Sequence, residues 1–311
     1  MVRRWLPLLI TALLLLALAA IVDTSQAVTL LARISPLLLA LAVVATGINI
    51  LISCLRYRII LRAMTGANES LNEIFRINLL SVFAAHFLPI AAAADGLRIV
   101  LASARFRLEA VRAVESVVAD RLLAVTGLCA AAMLALPLQA ALGTSLTLLA
   151  VQLVATTAVV AISALLLWSA SRGGLPRWPW IRHLALLTRG VAGHFARAAE
   201  LRTQLLLALA SALTFAAILW VLAAGMGMHL SALEALAFGP VIYLSQVIPF
   251  VYFGFGAREA VTVLFLSGIG SLNAESAFSL GLAVGVCNIL VALPAPVVAG
   301  HLLRQWRRGS S

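Results

Sequence analysis

The sequence predicts an all-α membrane protein that crosses the bilayer about six times and carries two further segments that enter and leave on one side. Three observations lead to this fold class. Hydrophobic residues make up 63% of the 311 residues and charged residues 11%, whereas soluble domains average about 45–50% and about 25%. Apolar runs of about 20 residues, the length that spans a bilayer, recur along the chain. The arginines cluster at the ends of these runs, as in the positive-inside pattern.

Six apolar runs are long enough to be full spans. They cover residues 5–22, 36–55, 113–136, 146–168, 204–226 and 276–301. The first run follows Arg3 and Arg4 and looks like a secretory signal, but its 18 residues exceed the about 7–15 of a signal core. We therefore expect it to be retained as a membrane span.

Two other apolar segments, 74–97 and 234–257, are each interrupted by proline and glycine. The expected breaks or hinges are Pro89, Gly96, Pro249, Gly254 and Gly256. If 74–97 crossed fully, the arginine-rich stretch at 98–112 would lie outside, against the positive-inside rule. We predict that both segments are re-entrant, since irregular backbone at membrane depth needs surrounding protein or a water-filled cavity.

The arginine distribution also predicts orientation and domain organisation. With 74–97 re-entrant, the arginine groups and both termini lie on the cytoplasmic side of a bacterial inner membrane. The polar stretch 169–203 is then a cytoplasmic loop, whose tryptophans and spaced arginines suit a helix on the anionic membrane surface. One transmembrane domain covers 1–311, with halves at about 1–136 and about 146–303. The net charge of +11 comes from arginines at the ends of apolar segments, so it does not indicate nucleic-acid binding.

The first broken segment has a counterpart 160 residues downstream. The stretch FAAHFLPIAAAADGLR aligns without gaps with YLSQVIPFVYFGFGAR. The matched pairs are Pro89 with Pro249, Gly96 with Gly256, Arg98 with Arg258, and His86 with Gln246. The predicted topology inverts one copy relative to the other, which indicates an inverted repeat. Paired broken segments in inverted halves predict a transport site near the midplane, where helix N-termini attract anions and arginine matches phosphate.

Ionised groups in apolar segments need a partner or a task, because each costs at least about 2.5–3.5 kcal/mol at the bilayer centre. We predict that Arg258 binds a lipid phosphate or anionic headgroup, and that Glu259 holds Arg258 or Arg121 in place. Asp120 and Arg121 are adjacent, so on a helix they point about 100° apart and each should pair with another segment. Asp120 or Glu115 is expected to pair with Arg98 or Arg258. The alternative is that Arg98 and Arg258 mark interfacial turns with snorkelling side chains.

The candidate substrate-binding residues combine these charges with nearby polar positions. They are Arg258, Glu259, Arg98, Asp95, Asp120, Arg121, Glu115, His86 and Gln246. The three cysteines, Cys54, Cys129 and Cys287, show no paired spacing and are expected to be apolar packing residues. The chain holds no DxxD, HExxH or GxSxG motif, so we expect no catalytic site, metal or cofactor.

Three stretches, FLPIAAAADGLRIVLASARF, AVESVVADRLLAVTGL and VIPFVYFGFGAREAV, together resemble the lysylphosphatidylglycerol synthase transmembrane family, also called the flippase-like group. The resemblance extends from about Arg56 to the C-terminus. The family's Glu-Arg pair is matched by Asp120 and Arg121, with Asp for Glu. The family's glycine-rich motif with Arg-Glu is matched by Pro249, Gly254, Gly256, Arg258 and Glu259. The first proline motif departs from the family, since AAAADG stands where several glycines are common.

The resemblance implies a lipid-translocating domain, and no soluble aminoacyltransferase domain is expected after it. The predicted function is therefore a lipid flippase that moves an anionic or phosphate-containing headgroup across the cytoplasmic membrane. Its expected partner is a membrane phospholipid or a polyprenyl- or hopanoid-type lipid. Two alternatives stay open: an integral-membrane lipid-modifying enzyme, and an accessory scaffold for a partner enzyme of lipid or glycan biosynthesis.

Overall fold

The computed structural model describes residues 12–13, 16–18, 20, 22–87, 93–171, 198–246, 256–267 and 271–299, which are helical apart from short turns and connections. The helices are α1 (Thr24–Ala32), α2 (Pro36–Thr65), α3 (Leu71–Phe87), α4 (Ala93–Phe106), α5 (Ala110–Ala141), α6 (Leu146–Ser171), α7 (Ala198–Gly225), α8 (Ala232–Ser245), α9 (Ala257–Leu266) and α10 (Ala274–Ala292). Within these ranges, four helical segments are long and apolar enough to cross a membrane: Pro36–Thr65, Ala110–Ala141, Glu200–Gly225 and Ala274–Ala299. The predicted all-α polytopic membrane fold is confirmed.

The individual span predictions can be compared with these helices. The runs at 36–55, 113–136, 204–226 and 276–301 coincide with the four long segments, and the run at 146–168 lies within α6, a helix of 26 residues. Most of the first run, 5–22, lies outside the described residues. The surface helix predicted within 169–203 also lies outside them, except where that stretch ends α6 and begins α7.

Helix α2 continues beyond its predicted end. The run was expected to stop at residue 55, before the first of several arginines, but α2 extends to Thr65. It ends at Gly66, whose φ of 71° is the left-handed conformation that commonly terminates helices. Arg56 is therefore helical and only 4% exposed. Ending the run at residue 55 implied that Arg56 lies in the cytoplasmic loop after it. That prediction was wrong, because the ion pair with buried Asp120 keeps this arginine inside the helix bundle.

The two faces of α2 explain how one helix serves both lipid and protein. One face exposes large apolar side chains spaced three or four residues apart, namely Leu37, Leu41, Val44, Ile48 and Leu51. Such spacing places them on a single stripe, and an apolar stripe of this length suits contact with lipid. The opposite face buries the polar side chains of Thr46, Asn49 and Arg56.

Small residues let the central helices approach closely. Helix α7 packs along α2 and also contacts α5, α8 and α10. A Cβ built on Gly127 of α5 would lie 2.2 Å from the Cβ of Ala208 on α7, and one on Gly239 of α8 would lie 3.1 Å from the Cβ of Ala216. Close backbone approach at small residues is a common basis of helix association in membranes, where lipid removes the hydrophobic driving force.

Two pairs of short helices pack side by side, α3 with α4 and α8 with α9. In the first pair, Arg105 near the end of α4 donates from Nε to Glu73 Oε2 in the first turn of α3, at 3.0 Å. In the second, the backbone N–H of Ser271, after α9, donates to Glu234 Oε1 in the first turn of α8, at 2.9 Å. Each pair therefore ends beside the place where it began. The connections at 88–92 and 247–255 lie outside the described residues.

Candidate functional site

A cavity of about 280 Å³ lies among α2, α3, α4, α5, α7, α8 and α10. Fourteen of its 23 described lining residues are polar or charged: Thr46, Asn49, Ser53, Arg56, Asn78, Ser81, His86, Asp95, Arg98, Asp120, Arg121, Tyr243, Gln246 and Asn288. Asn49 lies near the middle of α2, so the cavity reaches membrane depth. Polar side chains at that depth are expensive and commonly mark a path for substrate or ions.

The charged part of the wall is built around Asp120 of α5. Its Oδ1 accepts a hydrogen bond from Arg56 Nη2 at 2.9 Å, and its Oδ2 accepts one from Arg98 Nη1 at 2.7 Å. All three side chains are at most 5% exposed. A carboxylate shared by two guanidinium groups leaves one net positive charge in this cluster, which we call the Asp120 cluster. The pairing of Asp120 with Arg98 is as predicted, and the second partner, Arg56, was missed.

Several donors in the Asp120 cluster are unused. Within the described ranges, Arg98 Nε, Arg98 Nη2 and Arg56 Nε have no hydrogen-bond partner. The guanidinium group holds its donors in a fixed planar fork, and Nε and Nη2 of Arg98 share one edge of that fork. Buried donors without partners are rare in proteins, because each costs about 1–3 kcal/mol. The Arg98 edge therefore matches the paired oxygens of a phosphate or carboxylate.

Neighbouring side chains hold the two arginines in place. The Cζ of Arg98 lies 3.8 Å from the centre of the Tyr57 ring, a cation–π contact worth about 0.5–2 kcal/mol. The Tyr57 hydroxyl is in turn hydrogen-bonded to Ser116 Oγ at 2.8 Å. On α7, Gln204 Nε2 donates to the backbone carbonyl of Arg56 at 3.0 Å. These contacts hold the Arg98 side chain against Tyr57 and join α7 to α2 beside Arg56.

A neutral polar network lines another part of the cavity. Asn49 Oδ1 accepts hydrogen bonds from Ser211 Oγ at 2.8 Å and from the Tyr243 hydroxyl at 2.9 Å. Asn49 Nδ2 donates to the backbone carbonyl of Ser211 at 3.0 Å. The network joins α2, α7 and α8, so it fixes the helix that leads into the second proline break against two long helices.

The remaining charged pair of the lining is more exposed. Arg121 donates from Nε and Nη2 to Asp95 Oδ1, at 3.1 and 2.8 Å. The side chains are 46% and 38% exposed, so this pair sits where the cavity opens. Arg121 and Asp120 leave α5 in different directions, as their adjacent positions predicted. Glu259 was considered as a partner for Arg121, but that expectation was wrong, since Asp95 occupies the position.

The polar pair matched between the two sequence copies meets in this cavity. His86, at the end of α3, and Gln246, just after α8, both line it. Asn288 Nδ2 on α10 donates to Gln246 Oε1 at 3.4 Å. Gln246 Nε2 has no hydrogen-bond partner among the described residues. The cavity thus contains residues adjoining both predicted proline breaks.

Arg258 and Glu259 form a separate, fully buried pair at the start of α9. Both side chains are 0% exposed, and Arg258 Nε donates to Glu259 Oε1 at 3.0 Å. Glu259 Oε2 also accepts the backbone N–H of Gly256, whose φ of 88° favours glycine. Neither side chain is among the described residues that line the cavity. Glu259 does hold Arg258, as predicted, while the substrate role of Arg258 stays a prediction.

The structure also decides between some of the alternatives. Arg98 is 4% exposed and Arg258 0% exposed, so the idea that they snorkel from interfacial turns is wrong.

None of the remaining predicted residues is among the described residues that line the cavity. Glu115 is half-buried on α5. Gly96 lies within α4 and Gly256 directly before α9, whereas Pro89, Pro249 and Gly254 fall outside the described residues. Over the described ranges, no three His, Cys, Asp or Glu side chains are grouped to hold a metal ion.

Sequence reasoning missed several polar residues of the cavity. Arg56 was counted only as a positive-inside arginine, and Asn49 and Asn78 were not singled out although each interrupts an apolar run. A signal was available: on α2, Thr46, Asn49, Ser53 and Arg56 recur every three or four residues. That spacing is the period of a polar helix face.

Comparison with known proteins agrees with the fold. A family model described as the lysylphosphatidylglycerol synthase TM region matches residues 4–295. No curated protein matches the chain. Because the family match covers most of the 311 residues, the chain belongs to the lysylphosphatidylglycerol synthase TM region family.

Proposed function

We propose that the protein is a lipid flippase, in which the cavity receives an anionic, phosphate-containing lipid headgroup during its passage across the membrane. The observation that carries the proposal is the unused Nε–Nη2 edge of Arg98, buried in a polar wall at membrane depth. An unused edge of this kind is costly unless a ligand occupies it during the working cycle. Membership of a family named for a lipid-synthase membrane region also suggests lipid handling.

The size of the cavity supports a headgroup as the occupant. The cavity volume of about 280 Å³ is just below the range of ligand pockets, which run from about 300 to about 1,000 Å³. Such a space holds a phosphate with a few more atoms, while the acyl chains would stay outside in lipid. The Arg98 donors are buried. The proposal therefore requires a small side-chain movement that opens them to the headgroup.

In this proposal the two short helix pairs are re-entrant hairpins. The contact between Glu73 and Arg105 and the contact between Glu234 and Ser271 each bring the end of a pair back to its start. A hairpin of this shape enters and leaves on one membrane side, and the predicted topology places the two pairs on opposite sides. The hairpins would form an inverted repeat around the cavity, and their movement would open it alternately to each side.

The experiment that tests the flippase proposal is a fluorescent-lipid flipping assay in reconstituted liposomes. Arg98→Lys keeps a positive charge beside Asp120 but loses the planar two-donor edge. We expect flipping of a fluorescent anionic phospholipid to fall at least about tenfold, which corresponds to about 1.4 kcal/mol. The variant should fold, because Asp120 retains Arg56.

The matched control is Arg112→Gln on α5, which removes an exposed arginine and should leave flipping at the wild-type rate. Size-exclusion profiles and thermal unfolding verify that each variant is folded. Wild-type flipping by a folded Arg98→Lys variant would contradict the proposal, as would an absence of flipping by the wild-type protein with all anionic phospholipids offered.

A further inference from the structure

We propose that the seam between α4 and α5 binds a lipid acyl chain, and that the cavity opens through this seam sideways into the cytoplasmic leaflet. The seam is bordered by two short rows of small or branched apolar residues: Gly96, Val100 and Ala104 on α4, and Val111, Val114 and Val118 on α5. The inference rests on the proposed function, because it says where the chains of a lipid lie while its headgroup is in the cavity.

The ion pair between Asp95 and Arg121 lies below the membrane surface. Arg121 is 11 positions after the first residue of α5, and Asp95 is 11 positions before the last residue of α4. At about 1.5 Å per residue, both lie about 16 Å from the helix ends that the predicted topology places at the cytoplasmic surface. Helix α5, with 32 residues, is longer than the about 30 Å of hydrocarbon in a bilayer. Even when this excess is shared between its two ends, Arg121 lies about 7 Å inside the hydrocarbon.

The pair is exposed although it lies at this depth. The side chains of Arg121 and Asp95 are 46% and 38% exposed, and both residues line the cavity. Charged groups in contact with hydrocarbon are costly, so water or a polar headgroup must occupy the space beside them. Because the pair is both exposed and below the membrane surface, the cavity opens here at its side, towards lipid.

On α5, an apolar stripe runs from Arg121 towards the start of the helix. Val118, Val114 and Val111 precede Arg121 by three, seven and ten positions, so they share its face. Val111 is exposed, and the other two valines are half-buried. Because the guanidinium group of Arg121 reaches Asp95 on α4, this stripe borders the seam.

On α4, the stripe that begins directly after Asp95 carries little side-chain bulk. Gly96, Val100 and Ala104 recur every fourth position and are exposed. No described atom lies within 4 Å of a Cβ built on Gly96. The missing side chain therefore leaves open space here, whereas Gly127 permits close helix packing.

Together the two stripes form an apolar groove with a charged pair at its inner end. From Gly96 to Ala104 the groove is about 12 Å long, which is within the about 15 Å thickness of one leaflet. A lipid chain fits this length and this chemistry, while the headgroup attached to it would meet the ion pair and the polar cavity beyond.

The test is photo-cross-linking of the full chain in detergent micelles with a trace of phosphatidylglycerol that carries a diazirine on one acyl chain. Mass spectrometry of the digested protein locates the adducts. Detergent in large excess covers the outer faces, so we expect adducts along the seam to exceed severalfold those on the exposed apolar stripe of α2. Equal labelling of the two surfaces would overturn the acyl-chain site.

A variant that fills the groove sharpens the test. Gly96→Leu should remove the seam adducts, and it should fold, because its Cβ meets no described atom and leucine favours a helix more than glycine does. The matched control is Gly47→Leu on α2, where a Cβ likewise has no described atom within 4 Å and the next residue, Ile48, is exposed. This control should keep the seam adducts. Seam adducts of wild-type strength in folded Gly96→Leu would also overturn the site.

Flipping in liposomes separates the seam from the proposed function. Gly96→Leu should lower the flipping rate severalfold, whereas Gly47→Leu should flip lipid at the wild-type rate. Wild-type flipping by folded Gly96→Leu would overturn the seam as the route of the chains and leave the flippase intact. Seam adducts that Gly96→Leu abolishes, together with no flipping by the wild-type protein, would instead overturn the flippase and leave the acyl-chain site intact.

Discussion

At the scale of single residues, Asp120 determines the electrostatics of the cavity. It is the one carboxylate between Arg56 and Arg98, and its two oxygens each serve one arginine. Removing one member of a buried ionic group leaves the others without compensation, which typically costs about 3–5 kcal/mol. Partly exposed pairs such as Asp95 with Arg121 are worth about 0–1 kcal/mol.

We therefore predict that Asp120→Asn lowers the stability of the protein by about 3–5 kcal/mol, because two buried arginines lose their shared charge. Thermal or denaturant unfolding in detergent measures the change. The control is Asp95→Asn, where about 1 kcal/mol or less is expected. Equal stability of the two variants would show that Asp120 does not hold the cluster together.

The sequence predicted only two of the three members of the Asp120 cluster. Asp120 and Arg98 stood out because an ionisable group in an apolar run needs a partner. Arg56 did not, since an arginine at the end of an apolar run is explained equally well by membrane orientation. Only the folded chain shows that α2 continues past Arg56 and turns this side chain towards Asp120. Local composition cannot distinguish an arginine that orients the chain in the membrane from one that forms a buried ion pair.

At the scale of helices, two pairs of short helices, α3 with α4 and α8 with α9, lie between long helices. Each pair returns to the end at which it started. The prolines and glycines at 89–96 and 249–256 indicated where the short helices would be interrupted. The contacts that bring each pair back, Glu73 with Arg105 and Glu234 with Ser271, could not be inferred, since each joins residues more than 30 positions apart. Sequence periodicity reports on local structure and not on such pairing.

The proposed re-entrant arrangement of α3 and α4 predicts a labelling pattern. Single cysteines at Asn68 and Arg105, in a background without the native cysteines, should react alike with an impermeant thiol reagent in intact cells, because both positions lie at the same end of the helix pair. A cysteine at His229, in the exposed connection between α7 and α8, should show the opposite reactivity. Opposite labelling of Asn68 and Arg105 would mean that 74–97 crosses the membrane completely.

At the scale of the whole molecule, seven helices from different parts of the sequence contribute to one polar cavity inside an apolar bundle. The outer face of α2 is apolar, and its inner face carries the polar residues of the cavity wall. In the proposed function, this division would let acyl chains stay in lipid while a charged headgroup contacts protein. Hydropathy predicted the class of fold, but it does not reveal the close packing of small residues from distant helices, such as Gly127 against Ala208.

The most direct test of the account is a high-resolution density map of the protein in nanodiscs of anionic phospholipid. The account predicts density for a phosphate group within the cavity, with two of its oxygens at hydrogen-bond distance from Arg98 Nε and Nη2. The Arg98→Lys variant, prepared identically, should lose that density. A cavity without phosphate density, with ordered lipid only along the outer apolar faces, would contradict the claim that this cavity receives the headgroup.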